Sequence, residues 1–346
     1  MLTSHVEILR KGGPLNIQLT GKPYLSHSGD GQQQNHARRG DLDGKKEAIE
    51  VCGRGIKIQG RLLRIARISG EKYLFLDDPE PMLDGLRKSG IRIDLFTFIQ
   101  KLSDTSPKYP YPMEWDNFAA LRVSTFDHWW KEQINNKARN AARQAERKGV
   151  VIQEAPFDEA LVRGIWEVYN ETPVRQGKRN AHYGKDIATV YKEEATHLDR
   201  SIFIGAFLNK KIIGFIKLVY DESRTQAGLM NIVSMISHRD KAPTNALLAQ
   251  AVRSCAERGI TYLVYSNFAY GKKQRDSLSD FKEHNGFQRI DVPRYYVPLN
   301  RIGSVSFCLG LHKKFSDYLP EFLLARVREV RKAWHNRKLQ LAREGS

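Results

Sequence analysis

Cysteine is scarce in this chain: Cys52, Cys255 and Cys308 are the only three among 346 residues. None has the spacing of a metal-ligand set, and Cys255 falls on the apolar face of a predicted helix. The expectation is therefore three reduced thiols, with no disulfide framework and no metal site. Long apolar runs are missing too. No stretch of about 18 apolar residues occurs, so no membrane-spanning helix is predicted. Residues 1–10 lack the apolar core of a secretory signal, which points to a cytoplasmic protein. Acidic residues are in deficit, with 39 Asp and Glu against 56 Lys and Arg, a formal net charge of +17. An excess of that sign favours anionic partners such as nucleic acid, acidic lipid or phosphorylated molecules. Apolar content is not in deficit: 41% of the residues are hydrophobic, enough for a packed core.

The chain divides by composition. Residues 1–48 are poor in apolar side chains, above all 26–44, and read as a disordered or variable leader. A weak hairpin around Gly12-Gly13-Pro14 is the other reading of its start. Residues 49–125 alternate short strands with one helix near 81–88. Residues 126–148 read as a long basic helix. Strands at 150–153, 201–208 and 212–220, helices at 156–170 and 187–197, and a polar loop at 173–186 follow. Short strands are expected at 287–290 and 295–299. Residues 301–346 end the chain as a basic amphipathic helix, with Phe315, Leu319, Leu323, Val327, Val330 and Trp334 on one stripe. Such a helix suits either packing on the catalytic domain or an anionic membrane surface, which would make the protein peripheral at the inner face of the membrane.

The stretch at 228–266 organises the rest. Residues 229–236 are a short apolar run of strand length. His238, Arg239, Asp240 and Lys241 form a charged turn, and Pro243 suits the first helical position. Leu247, Leu248, Ala251, Val252 and Cys255 recur at helical spacing, and Gly259 ends that helix. Residues 261–266 are β-branched and aromatic, hence a strand. This β-turn-α-β unit sets a helix N-terminus beside basic side chains, an anion site suited to a pyrophosphate. Arg239 and Lys241, with Ser237 and the amides of Thr244 and Asn245, are its candidate ligands.

Four stretches carry a resemblance: KARNAARQAERKGV (137–150), YNETPVRQGKRNAHYGKD (169–186), DKAPTNALLAQAVRSCAERG (240–259) and SLSDFKEHNGFQ (277–288). They resemble the GNAT acyltransferase superfamily, and within it the Fem-type branch linked to cell-envelope and exopolysaccharide synthesis. The implied fold is mixed α/β, a GNAT-like domain at 126–300 in tandem with a partial GNAT-like half at 49–125. The implied activity is transfer of an acetyl or aminoacyl group to an amine on an envelope or polysaccharide precursor, small or lipid-linked. The donor is acetyl-CoA or another acyl-CoA, or aminoacyl-tRNA. The superfamily's turn after its fourth strand is glycine-rich, whereas here Ala242 and Pro243 stand in it. A non-catalytic GNAT-fold protein that binds nucleic acid or a lipid-linked glycan is the rival reading.

Acyl transfer needs an anchored donor, a polarised carbonyl and proton removal from the nucleophile. A bulge splaying the strand before the turn would let backbone groups of 231–234 polarise the carbonyl. The loop at 171–183 gathers acceptor-site candidates. Glu171 or His182 is the candidate base, Arg175 an anion clamp, and Gln176, Lys178 and Tyr183 further contacts. Tyr265, at the end of the strand after the helix, is the candidate general acid by resemblance. Lys282 is a candidate contact from the following helix.

Overall fold

The computed structural model describes residues 4–7, 18–21, 47–102, 104–175, 178–269, 277–313 and 326. Strands β1 (Ser4–Glu7) and β2 (Gln18–Gly21) pair antiparallel, as the hairpin reading of the leader expects. The first half of the main body contains β3 (Glu47–Val51), β4 (Arg54–Gln59), β5 (Ile65–Ile68), α1 (Glu80–Lys88), β6 (Leu95–Ile99) and β7 (Met113–Arg122). Next come α2 (Phe126–His128), a π-helical turn at Trp129–Gln133, α3 (Asn136–Arg147), β8 (Val151–Glu154) and α4 (Glu159–Asn170). A small hairpin of β9 (Val174–Arg175) and β10 (Lys178–Arg179) leads to α5 (Ile187–Glu194), β11 (Ser201–Leu208), β12 (Lys211–Tyr220) and β13 (Gln226–Ser234). A 3-10 turn at Ile236–Lys241 precedes α6 (Pro243–Glu257), β14 (Tyr262–Val264), α7 (Ser277–His284), β15 (Gln288–Pro298) and α8 (Arg301–Cys308).

The result is the expected mixed α/β fold, built on one 11-stranded sheet of order β3-β4-β5-β6-β15-β7-β14-β13-β12-β11-β8. One order of elements occurs twice in it. β3, β4 and β5 form an antiparallel meander, α1 crosses over, and β6 returns parallel to β5. β11, β12 and β13 repeat the meander, α6 crosses over, and β14 returns parallel to β13. Each half then lends its next strand across the junction. β7 pairs with β14, and β15 lies between β6 and β7. Hydrogen bonds of the one sheet therefore run across the boundary expected at 125/126.

Both faces of the second half are covered. α6 buries Leu247, Leu248, Ala251, Val252 and Cys255, the predicted stripe, against one face. α4 buries Leu161, Val162, Ile165, Val168 and Tyr169 against Phe203, Ile212 and Phe215 on the other. Removal of these side chains from water is the main force holding the layers together.

The structure departs from the sequence reading in several places. The helix expected over 126–148 breaks at Ile134, which is extended, and Asn135 starts α3 by accepting from the Ala138 amide. Asparagine side chains satisfy backbone amides locally and so favour a new cap over continued helix. The two closing strands are one, β15. Pro293 fits inside it because pairing with β6 begins only at Arg294. Among the short strands expected in 49–125, the one over residues 73–76 does not form, and residues 71–73 are turn. The amphipathic stripe expected over 315–334 lies outside the described residues. Among the described residues no helix is long and apolar enough to cross a membrane, and no cluster of His, Cys, Asp and Glu could hold a metal.

Candidate functional site

β13 and β14 pair through three residues only, Gln226 to Tyr262, Ala227 to Leu263 and Gly228 to Val264. β13 then runs on to Ser234 against β12 alone. A wedge opens between the two parallel strands from Gly228 onward. A bulge lies at its root: Leu218 faces Leu229 and Lys217 faces Asn231, so Met230 is the extra residue. A bulge bends its strand and redirects its backbone groups. The bulge on which a polarising role for residues 231–234 depends is therefore present. The loop before α1 closes the base of the wedge, since a β-carbon on Gly228 would overlap the Tyr73 ring. From the same loop, the Lys72 ammonium reaches the Ser266 hydroxyl at 2.9 Å.

The wedge leads up β13 to the N-terminus of α6. Ala242 caps that helix in the left-handed region, φ 51° and ψ 41°, with Pro243 in the first turn. The shape that glycine would supply is thus adopted by alanine. No side chain caps the helix, which leaves amides of its first turn open to a ligand. The Thr244 hydroxyl lies 2.7 Å from that of Ser234, and the Asn245 amide donates to the Ala242 carbonyl at 3.3 Å. Arg239 is exposed. Lys241 pairs with Asp240 at 3.2 Å, and Lys148, the C-cap of α3, pairs with the same carboxylate. The basic helix is thereby fastened beside the turn.

Glu171 and Arg175 are committed elsewhere than expected. The Glu171 carboxylate accepts from the amides of Ile236 and Ser237 and from the Ser237 hydroxyl, each at 2.8 Å, and from Arg175 at 3.1 Å. Burial acts to raise its pKa, but the two amides, the hydroxyl and Arg175 together hold it below the usual carboxylate range. A carboxylate with four donors and a depressed pKa is a poor proton acceptor. Arg175 also donates to the carbonyls of Ser234 and Val168. These residues tie the end of α4 to the end of β13, and their charges are spent on the turn. Ser237 is likewise occupied by Glu171.

His182 stacks on Tyr169, ring centroids 4.0 Å apart and planes within 14°. Burial, with help from Lys185 and Arg175, lowers its pKa to about 4. It packs as a neutral ring, and at neutral pH it has little drive to take a proton. Tyr265 stands edge-on to Phe281 and Phe287, with the Lys282 ammonium 4.9 Å above its ring. Lys282 is fully buried and donates to the Asn267 carbonyl at 2.6 Å. Tyr265 and Lys282 thereby join α7 to the loop after β14. Tyr183 and Lys178 are exposed beside α4, and Gln176 lies outside the described residues. The structure thus gathers Glu171, Arg175, Ser237 and Thr244 at the top of β13, and keeps Tyr265 and Lys282 together beyond β14.

A second cluster escaped the sequence reading. Glu194 at the end of α5 accepts from Tyr169 at 2.8 Å and from the Asn231 side-chain amide at 2.9 and 3.1 Å. The Lys217 ammonium lies 3.9 Å from the same carboxylate. It donates to the carbonyls of Glu194 and Thr196 at 2.7 and 2.8 Å. Both charged side chains are fully buried. A signal existed: Lys217 is a lone charge inside the apolar strand Lys211–Tyr220. A lysine so placed needs a buried partner. Its partner is distant in sequence, so only the fold reveals it.

No protein-family model and no curated protein matches the sequence. Among solved structures the chain is similar to L-PGS from Bacillus licheniformis, at 14% identity over 76% of this chain and 87% of that one, TM-score 0.49. It is similar to FemX at 11% identity over 75% of this chain and 88% of that one, TM-score 0.48. A tandem GNAT protein from the clavulanic acid biosynthesis pathway matches at 10% identity over 73% of this chain and 82% of that one, TM-score 0.37.

Proposed function

We propose that the chain is an N-acyltransferase whose donor lies in the wedge between β13 and β14. The observation that carries this reading is the early end of β13–β14 pairing at Gly228 and Val264, directly beside a bulge and below an uncapped helix N-terminus. Amides at the head of α6, with Arg239, anchor the phosphates of the donor. Backbone groups of β13 beyond the bulge hold the donor carbonyl as it gains negative charge. An amine nitrogen of the acceptor attacks the carbonyl carbon, the bond to the donor's sulfur or oxygen breaks, and the ammonium proton leaves to solvent. Because Glu171 and His182 are poor bases, the acceptor amine enters already neutral, and turnover rises with pH toward the amine's own pKa. Acyl-CoA is the first donor to test and aminoacyl-tRNA the second. The sequence resemblance supports an acceptor among cell-envelope or polysaccharide precursors.

Calorimetric titration with acetyl-CoA, using the dephospho and desulfo analogues as controls, tests the donor site. Saturable one-to-one binding is expected, weakened about tenfold in Arg239→Ala through loss of one charge-assisted contact. If millimolar acetyl-CoA does not bind, acyl-CoA falls as donor and charged tRNA is next. If neither donor supports turnover, the non-catalytic binding role replaces the enzyme.

A further inference from the structure

Five side chains, Tyr169, Glu194, Phe203, Lys217 and Asn231, meet under the bulge of β13. Phe203, Lys217 and Asn231 lie opposite one another across β11, β12 and β13. They share the sheet face that α4 and α5 cover. Lys217 and Asn231 mark the bulge itself, because the register shifts between Lys217 and Leu218. Glu194 comes down on this row from α5 and takes the Asn231 amide on both of its oxygens. Tyr169 from α4 supplies another donor to Glu194. Lys217 stays beside Glu194 through its bonds to the Glu194 and Thr196 carbonyls and the Thr196 hydroxyl.

An ion pair this deeply buried is not explained by stability. Its desolvation penalty offsets most of its attraction, and an apolar pair of the same volume often serves a fold as well or better. What an apolar pair cannot do is fix the orientation of one particular side-chain amide. Asn231 is only partly buried, and it follows the extra residue of the bulge. Without Glu194 its side-chain amide loses both carboxylate acceptors, and β13 could slip by one residue into regular pairing with β12. The slip would return its backbone groups to the ladder and turn every later side chain to the other face.

We infer that Glu194 is a positioning residue for acyl transfer: held against Lys217, it pins Asn231 and so fixes the bulge that turns the backbone of β13 toward the wedge. The catalytic consequence rests on the acyltransferase reading above, while the pinning of the bulge does not. Burial works against both charges, raising the pKa of Glu194 and lowering that of Lys217 to about 8, and each charge opposes the shift of the other.

The test uses the full-length chain and the variants Glu194→Gln, Asn231→Ala and the double variant. Hydrogen exchange read by mass spectrometry reports on the peptide spanning 226–234. Exchange there is expected to rise about tenfold or more in each single variant, with α6 and β15 unchanged, as for a local opening. With the donor that the wild type uses, turnover at saturation is expected to fall roughly 10–100-fold while donor affinity stays within about twofold, the mark of lost alignment rather than lost binding. The double variant is expected to be no slower than the slower single one, since both act through one contact. Unchanged exchange at 226–234 in a folded Glu194→Gln protein overturns the inference. So do losses in turnover that multiply in the double variant. If Glu194→Gln does not fold, Asn231→Ala, which leaves the buried pair intact, decides the matter by the same readouts. If the wild type turns over no donor, the acyltransferase reading fails on that result, and the exchange arm alone upholds or overturns the pinning.

Discussion

Ala242 carries the left-handed backbone at the head of α6, φ 51°, where alanine is less comfortable than glycine by about 1 kcal/mol. Ala242→Gly is expected to raise stability by roughly 0.5–1 kcal/mol, since relief of strain outweighs the added freedom of the unfolded chain. A shifted urea midpoint with an unchanged slope would register it. His182 gives a second prediction. Its folded pKa is about 4 against an ordinary 6.5, so between these values the unfolded chain binds the proton that the folded chain refuses. Stability then rises with pH across that window, is complete above 6.5 and is lost as pH falls toward 4. The span corresponds to about 3 kcal/mol. Replacing the ring by phenylalanine keeps the stack on Tyr169 and is expected to flatten the dependence of melting temperature on pH between about 4 and 6.5.

At the scale of elements, the end of α4 and the turn before α6 act together. Glu171 ties the Ile236 and Ser237 amides, and Arg175 ties the Ser234 carbonyl. Glu171→Gln retains some of these bonds but loses the charge that draws Arg175 and the amides inward. It is expected to cost about 1–3 kcal/mol of stability, the usual range for charge-assisted bonds. It should weaken donor binding while leaving the pH profile of turnover where it was. A catalytic base would behave otherwise, losing turnover with donor affinity intact. Because the Glu171 pKa is held low, its stabilisation is present above about 4.5 and falls away as pH drops below that value.

For the whole molecule, the exchange of strands matters most. β14 needs β7 from the first half, and β15 needs both β6 and β7. A polypeptide of residues 126–346 would leave the inner edge of β14 unpaired and β15 without either neighbour. Such edges bind other chains. The fragment is expected to aggregate or to lack dispersed side-chain signals by NMR, despite containing both strands of the wedge. A second lock works across the same junction. The half-buried Arg294 of β15 meets Asp116 of β7 at 2.9 Å and Glu71 of the loop after β5 at 2.8 Å. Removing Arg294 takes a charge-assisted partner from two half-buried carboxylates, so Arg294→Met is expected to lose about 1–3 kcal/mol of stability, read as a lowered urea midpoint.

The sequence by itself determined the local pieces, because helix and strand periodicity, proline at the first helical turn and glycine stops act over a few residues. The stripe of α6, the hairpin of β11 and β12, and the basic turn at 238–241 were legible for that reason. So was the need for a non-glycine residue to serve in the turn, although not that Ala242 would accept the left-handed shape. The break at Ile134 was not legible, since it depends on Asn135 and on Trp129 reaching the Asn285 carbonyl far along the chain. Tertiary structure alone decided which charged side chains are free. Glu171, Arg175 and His182 look like a reactive loop in sequence, and the fold spends them on packing and on bonding the turn. Lys217 looks like an oddity in an apolar strand, and the fold gives it Glu194 and the bulge. Hydrogen-bond partners far apart in sequence set both the pKa and the availability of a side chain, and no local pattern encodes them.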